Sequence, residues 1–253
     1  MPYRRLPNTT PAVIRTLKAA RDEWKRTANP ADRAISAEHW AQLDDAAPAS
    51  LLNRLLSEAS DVDLALAAQA PVTDNLSRTA DRLAMFVSHF HQVLDLGITR
   101  GYFKSGARSY YGRDLAATTI PDLSSYDAIA EAAEAVVTGE ARRMEVESDA
   151  NEYHAMQLPS AEELNTVRQE FLTLRSQSDQ ALVNTDRQRE ELQAVYAGAQ
   201  ALAVDICDTV EFFYRKDPDA SSRRAKCERW GVVYVADAEP APPTPTPRPA
   251  PTT

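Results

Sequence analysis

Glycine, cysteine and long apolar runs are all scarce here. The 253 residues include 7 glycines and 2 cysteines. Little glycine, abundant alanine and scattered β-branched residues favour helix over sheet. The cysteines, Cys207 and Cys227, are too few for a disulfide framework and lack metal-type spacing, which points to a reducing compartment. No stretch approaches the roughly 20 apolar residues of a membrane span. Met1-Pro2-Tyr3-Arg4-Arg5-Leu6-Pro7 has no apolar run behind its arginines, so it does not read as a secretory signal. By elimination the expected location is cytoplasmic, with no membrane partner.

Catalytic signatures are missing too. There is no Gly-x-Gly-x-x-Gly, Walker-type loop, Gly-x-Ser-x-Gly or His-Glu-x-x-His. Di-iron helical bundles need Glu-x-x-His pairs. Three residues before His39, His89, His91 and His154 stand Ser36, Phe86, Ser88 and Asn151. His89 and His91 lie about 200° apart around a helix and cannot share an ion. His91 and Asp95 are spaced to pair, but with Ser88 they read as a polar stripe. Asp205, Asp208 and Glu211 recur every third residue, a spacing that can hold magnesium, yet they lie off the core face and read as solvated surface. The expectation is no metal, no cofactor and no enzymatic activity.

What is present is helical pattern. Hydrophobic residues make up 43% and charged residues 26%, enough for a core. The net charge of −9 argues against broad nucleic-acid binding. Asn8-Thr9-Thr10-Pro11 starts a helix running to about Asn29-Pro30. Ser36 starts another, ending near Pro48. From Ser50 the pattern resumes, with a kink or break expected at Pro71. Leu76, Ala80, Leu83, Val87, Phe90, Leu94 and Ile98 then form a core stripe. Met85, Phe86, Val93 and Leu96 form a second apolar face, which predicts a helix sandwiched between neighbours. Residues 101–123 are irregular. Ser124 or Ser125 caps a helix to about Glu147, and Asn151 to Pro159 is a loop.

Ser160-Ala161-Glu162-Glu163 reads as a capping box. The helix behind it meets no proline before Pro218, but its middle, 175–190, is polar. It is either continuous over 160–216, spanning about 85 Å at 1.5 Å per residue, or hinged there. A last helix covers about Ala220 to Trp230 and stops at Gly231. Val232-Val233-Tyr234-Val235 is the one β-like run, too short for an independent sheet, and should lie extended against the bundle. The tail 239–253, rich in proline, should be disordered. The fold expected is all-α: an elongated bundle of six or seven helices over 1–238, built on two long helices, with a short C-terminal extended segment.

The halves 8–123 and 124–238 follow a similar order. Each ends in an aromatic–glycine pair, Tyr111-Gly112 and Trp230-Gly231, behind Ala107-Arg108 and Ala225-Lys226. This pattern suggests a pseudo-twofold repeat. Arg4-Arg5-Leu6-Pro7-Asn8-Thr9, the central Ala107-Arg108-Ser109-Tyr110-Tyr111-Gly112 and the final Trp230-Gly231-Val232-Val233-Tyr234-Val235 together resemble a family of uncharacterised bacterial all-helical proteins. The resemblance reaches about Ala236. Trp230 stands where that family usually has tyrosine, and the proline-rich tail looks like an addition. The resemblance implies a single helical architecture and carries over no functional residue.

Two basic–aromatic segments remain as candidate sites. The first holds Arg100, Lys104, Arg108, Tyr110, Tyr111 and Arg113, with no acidic residue from 96 to 113. The second holds Arg224, Lys226 and Trp230, diluted by Asp217, Asp219 and Glu228. Cations beside aromatics bind phosphates or stack bases. Equally, cations complement helix C-termini and aromatics plug a bundle end; that simpler reading is favoured for both. Cys227, near Arg223, Arg224, Lys226 and Arg229, reads as an ordinary thiol. The functional expectation is a structural or protein-interaction bundle with a protein partner or self-association. The alternatives are nucleic-acid or anionic-ligand binding through 100–113, and a metal-dependent helical-bundle enzyme.

Overall fold

Thr9 caps the first helix, accepting a hydrogen bond from the Ala12 amide, and Lys25 and Arg26 complement its last turn. This α1, Thr10–Arg26, buries Val13, Leu17 and Ala20 on one face. In a computed structural model that describes residues 2–117, 119–149 and 153–235, five further α-helices follow. They are α2 (Ala37–Leu43), α3 (Leu51–Thr99), α4 (Tyr126–Asp149), α5 (Ala161–Tyr214) and α6 (Ala220–Arg229). Short 3-10 helices cover Pro30–Asp32 and Ser105–Tyr111. The chain is an all-α bundle built on α3 and α5, as its patterning predicts. The expected disordered tail, 239–253, lies outside the described residues.

Three expectations need correction. Pro71 does not break α3, which runs unbroken through it. Pro71 is exposed, and so is Ala67, whose carbonyl the proline cannot serve, so the lost bond falls on the solvent side of the helix rather than in the core. The second apolar face of α3 is not sandwiched: among the described residues Met85 is 45%, Val93 37% and Leu96 54% exposed, and only Phe86 packs partly on the core. The terminal β-run does pair. Strand β2 (Val233–Val235) lies antiparallel to β1 (Tyr3–Arg5), with Tyr3 opposite Val235.

The polar middle of α5 is no hinge, since the helix is continuous. Thr185 is fully buried there, and its hydroxyl bonds to Gln69 Oε1 at 2.9 Å and to the Ala181 carbonyl at 3.0 Å. A satisfied polar contact takes the place of an apolar one. The expected capping box forms: Ser160 Oγ accepts from the Glu163 amide at 3.1 Å, and Glu163 accepts from the Ser160 amide at 3.0 Å.

The chain divides into two compact units, residues 1–61 with 189–253, and residues 62–188. These borders differ from the halves 8–123 and 124–238, each of which contributes to both units. The first unit packs Leu17, Leu43, Leu52, Leu55, Ile206 and Trp230 into its core. The second packs Leu83, Val87, Phe90, Tyr111, Leu164 and Phe171. The turn behind α6 lies on α1, where Thr16 Oγ1 donates to the Gly231 carbonyl at 3.3 Å. The turn behind α3 lies on α4, where Gly139 has no side chain to block Tyr110 and Tyr111.

Candidate functional site

The first basic–aromatic segment folds back on the last turns of α3. Gly101 and Gly112, with φ of 81° and 72°, take left-handed positions that a side chain would strain. The fold-back brings Arg108 and Arg113 onto Asp95. Arg108 Nε donates to Asp95 Oδ1 at 2.8 Å, and its other arm reaches the Leu115 carbonyl at 2.8 Å. Arg113 grips both carboxylate oxygens and adds a bond to the Ala117 carbonyl at 3.2 Å. Burial alone would raise Asp95, but the two guanidinium groups outweigh it and hold the carboxyl below its ordinary range. Two of the expected anion-binding cations are thus already paired within the protein. The sequence pattern offers Asp95 only as a partner for His91, because it stands one residue before the acid-free window of 96–113.

Tyr111 is not a surface platform either. It is 1% exposed, edge-on to Phe90 at 5.0 Å. Its hydroxyl donates to Glu140 and accepts from Arg143 Nε at 2.8 Å. Arg143 also donates to Glu140 Oε1 at 2.9 Å, to Glu147 at 2.9 Å and to the His154 carbonyl at 2.7 Å. Tyr153 and the Met156 amide both donate to Glu140 Oε1, at 2.9 and 3.3 Å. Arg143 is also stacked near Phe103 and Tyr153, 5.1 and 4.9 Å from their centroids. Burial opposes ionisation of Glu140, yet the bonds from Arg143 and Tyr111 win and keep it a carboxylate. Burial and the bond to Glu140 push Tyr153 up to about 12 and raise Tyr111 as well. These groups satisfy one another, so the network orders the 3-10 turn and the 153–156 loop on α4 rather than offering a reactive atom. The spacing Glu140, Arg143, Glu147 was its only trace in sequence.

Beside this network, His91 is wholly buried and neither ring nitrogen has a hydrogen-bond partner among the described residues. Burial and the Arg113 charge press its pKa down to about 4, against a weaker pull from Asp95. It does not pair with Asp95 as the spacing allowed, because Arg108 and Arg113 occupy both carboxylate oxygens. Of the remaining first-segment residues, Arg100 and Lys104 are exposed, and Tyr110 packs at the edge of the second core.

In the second segment, Trp230 is 1% exposed and its indole donates to Tyr214 Oη at 3.2 Å. Lys226 pairs with Asp217 at 2.7 Å, and that contact holds the Asp217 carboxyl below its ordinary range. Arg224 is half-buried. Tyr111 and Trp230 are therefore core aromatics, the simpler of the two readings offered for them.

The carboxylate stripe on α5 is not merely solvated. Asp208 and Glu211 take Arg4 at 2.5 and 2.9 Å, Glu211 also accepts from Tyr234 at 2.6 Å, and Asp205 meets His39 Nε2 at 2.8 Å. It ties both strands and α2 to α5. Cys207 and Cys227 are buried free thiols; burial lifts Cys207 to about 11 and raises Cys227, the opposite of activation. Among the described residues no group of three metal-capable side chains comes together, and no helix is long and apolar enough to cross a membrane. Comparison with family models, with curated proteins and with solved structures finds no match.

Proposed function

We propose that this chain is a non-enzymatic protein-interaction bundle acting in the cytoplasm. The observation that carries the reading is the uncovered apolar face of α3. Met85, Val93 and Leu96 are exposed, and Tyr102, 69% exposed, follows within two turns. Apolar side chains gathered on one stretch of surface gain free energy when a partner removes them from water. The polar groups nearby support the same reading, because Asp95, Arg108, Arg113 and the Glu140 network are committed to each other.

Light scattering of the purified chain across a concentration series tests self-association, and cross-linked affinity purification from the native cell tests a separate partner. Leu96→Glu should weaken whichever complex forms. A strict monomer that also retains no stoichiometric partner would sink the proposal.

Anionic-ligand or nucleic-acid binding through 100–113 stands as the second reading, supported by the exposure of Arg100, Lys104 and Tyr102. Low-salt titration with single-stranded oligonucleotides tests it, with Arg100→Glu and Lys104→Glu as the variants. The metal-dependent enzyme has no comparable support.

The proposal extends to the duplication. Each aromatic–glycine turn rests on the helix that precedes the other half's long helix, a reciprocity that two copies of one ancestral half would generate.

A further inference from the structure

Within the second unit, the outward side of α3 carries a stripe of residues in mirror order. Asp81, Met85, His89, Gln92, Leu96 and Arg100 are all exposed, at steps of four, four, three, four and four. At 3.6 residues per turn they fall within about 100° of arc and cover about 28 Å. Arg100 lies just past the end of α3, but its amide still bonds to the Leu96 carbonyl at 3.0 Å, which keeps it in helical register. The midpoint falls between Phe90 and His91. About it, Asp81 mirrors Arg100, Met85 mirrors Leu96 and His89 mirrors Gln92. Val93 borders the stripe on one flank. The terminal charges are uncommitted: among the described residues neither Asp81 nor Arg100 has an ion pair or a side-chain hydrogen bond.

A two-fold interface sets one patch against its own copy, so each residue must suit the residue that mirrors it. The α3 stripe meets that condition at each pair. With two α3 helices antiparallel, Asp81 of each copy faces Arg100 of the other, and acid meets base at both ends. Met85 and Leu96 remove each other from water on either side of the centre. At the centre His89 faces Gln92. The Gln92 amide already donates to Ser88 at 2.9 Å, which leaves its oxygen to accept from the imidazole. Most steps along the stripe are of four residues, and two such ridges interdigitate when helices cross at about −50°. A parallel pairing fails the same test, because it sets Asp81 against Asp81 and Arg100 against Arg100. An unrelated partner has no need of mirror order on this side.

We infer that this side of α3 is a self-docking surface: two copies of the chain pair antiparallel about a two-fold axis that passes between Phe90 and His91. Asp81 and Arg100 set the direction and register of the pair, and Met85 and Leu96 supply the apolar contact. A single helix pair of this length is a small interface, so the dimer is weak and reversible. The inference rests on the interaction reading above and names its partner, a second copy.

Sedimentation equilibrium of the full chain over a wide concentration range should show monomer and dimer exchanging. Asp81→Arg and Arg100→Asp should each weaken the dimer at least about tenfold, since two exposed pairs turn repulsive at once. Their net charges move in opposite directions, so general repulsion cannot weaken both. Mixed in equal amounts, the two variants should dimerise again, because one offers cations at both ends of the stripe and the other anions. The double variant Asp81→Arg/Arg100→Asp should dimerise like the native chain. Both side chains are exposed, so the variants should melt with the native chain. If one does not, Asp81→Asn and Arg100→Gln supply the comparison, each weakening the dimer by a smaller factor. A dimer that the single reversals leave intact, or a mixture that forms none, overturns the inference and leaves the interaction reading standing. A native chain that stays monomeric also overturns it; the interaction reading then falls only if no stoichiometric partner is retained from the native cell.

Discussion

Arg113 holds both oxygens of Asp95, at 3.1 and 3.0 Å, from a position 7% exposed to solvent. The pair anchors the returning loop to α3. Asp95→Asn removes the charge and leaves Arg113 buried without a counter-ion. The variant should lose about 3 kcal/mol of stability, in the range for breaking a buried pair, read as a lower urea midpoint. It should also release Arg108, so oligonucleotide binding at low salt should strengthen if the second functional reading is correct.

Tyr111→Phe deletes the hydroxyl shared by Glu140 and Arg143 and leaves the ring packing intact. The expected loss is about 1–3 kcal/mol, because two buried charged groups each lose a bond. Thermal melting checks it. A change within error would mean that the network does not depend on its tyrosine.

Acid should act through His91. Its folded pKa, about 4, lies below the ordinary imidazole value of 6.5. Between those values the unfolded chain binds a proton that the folded chain refuses. The stabilisation is therefore whole above pH 6.5 and drains away as pH falls toward 4, by about 3 kcal/mol for a shift of this size. Denaturant melts across that window should show the slope in the native chain and a flatter profile in His91→Met.

Gly231 has a φ of 94°, and a Cβ there would lie 2.7 Å from the Thr16 carbonyl oxygen. Gly231→Ala should cost about 1–3 kcal/mol for the backbone strain alone, and more from the contact. Gly112, also left-handed but with open space around it, should cost less when changed to alanine. Paired melts of the two variants separate strain from collision.

Much of the fold was legible because it follows local rules. The caps at Thr9 and Ser160, the stripe from Leu76 to Leu94 and the stop at Gly231 each depend on neighbours a few residues away. What escaped depends on distant partners. Pro71 looked like a break because the exposure of Ala67 and Pro71 is a tertiary fact. Strand β1 was invisible because Tyr3–Arg5 has no alternation to see, and its partner lies at the other end of the chain. The candidate site was legible as composition only. Arg108, Tyr111 and Arg113 were found, but not Glu140, and Asp95 was matched to His91 rather than to the two arginines; these carboxylates decide that the segment holds the loop in place.

The antiparallel pairing of Tyr3 with Val235 has a consequence for biogenesis. Residues 62–188 leave the ribosome together and hold everything their core requires. The first unit must wait, with α1 and α2 already made, until α5, α6 and β2 emerge. Closing a loop of that length slows folding more than it weakens the final state. Nascent chains stalled once residue 188 has cleared the exit tunnel should therefore protect the second core from protease while Leu17 and Leu43 remain cleavable or chaperone-bound.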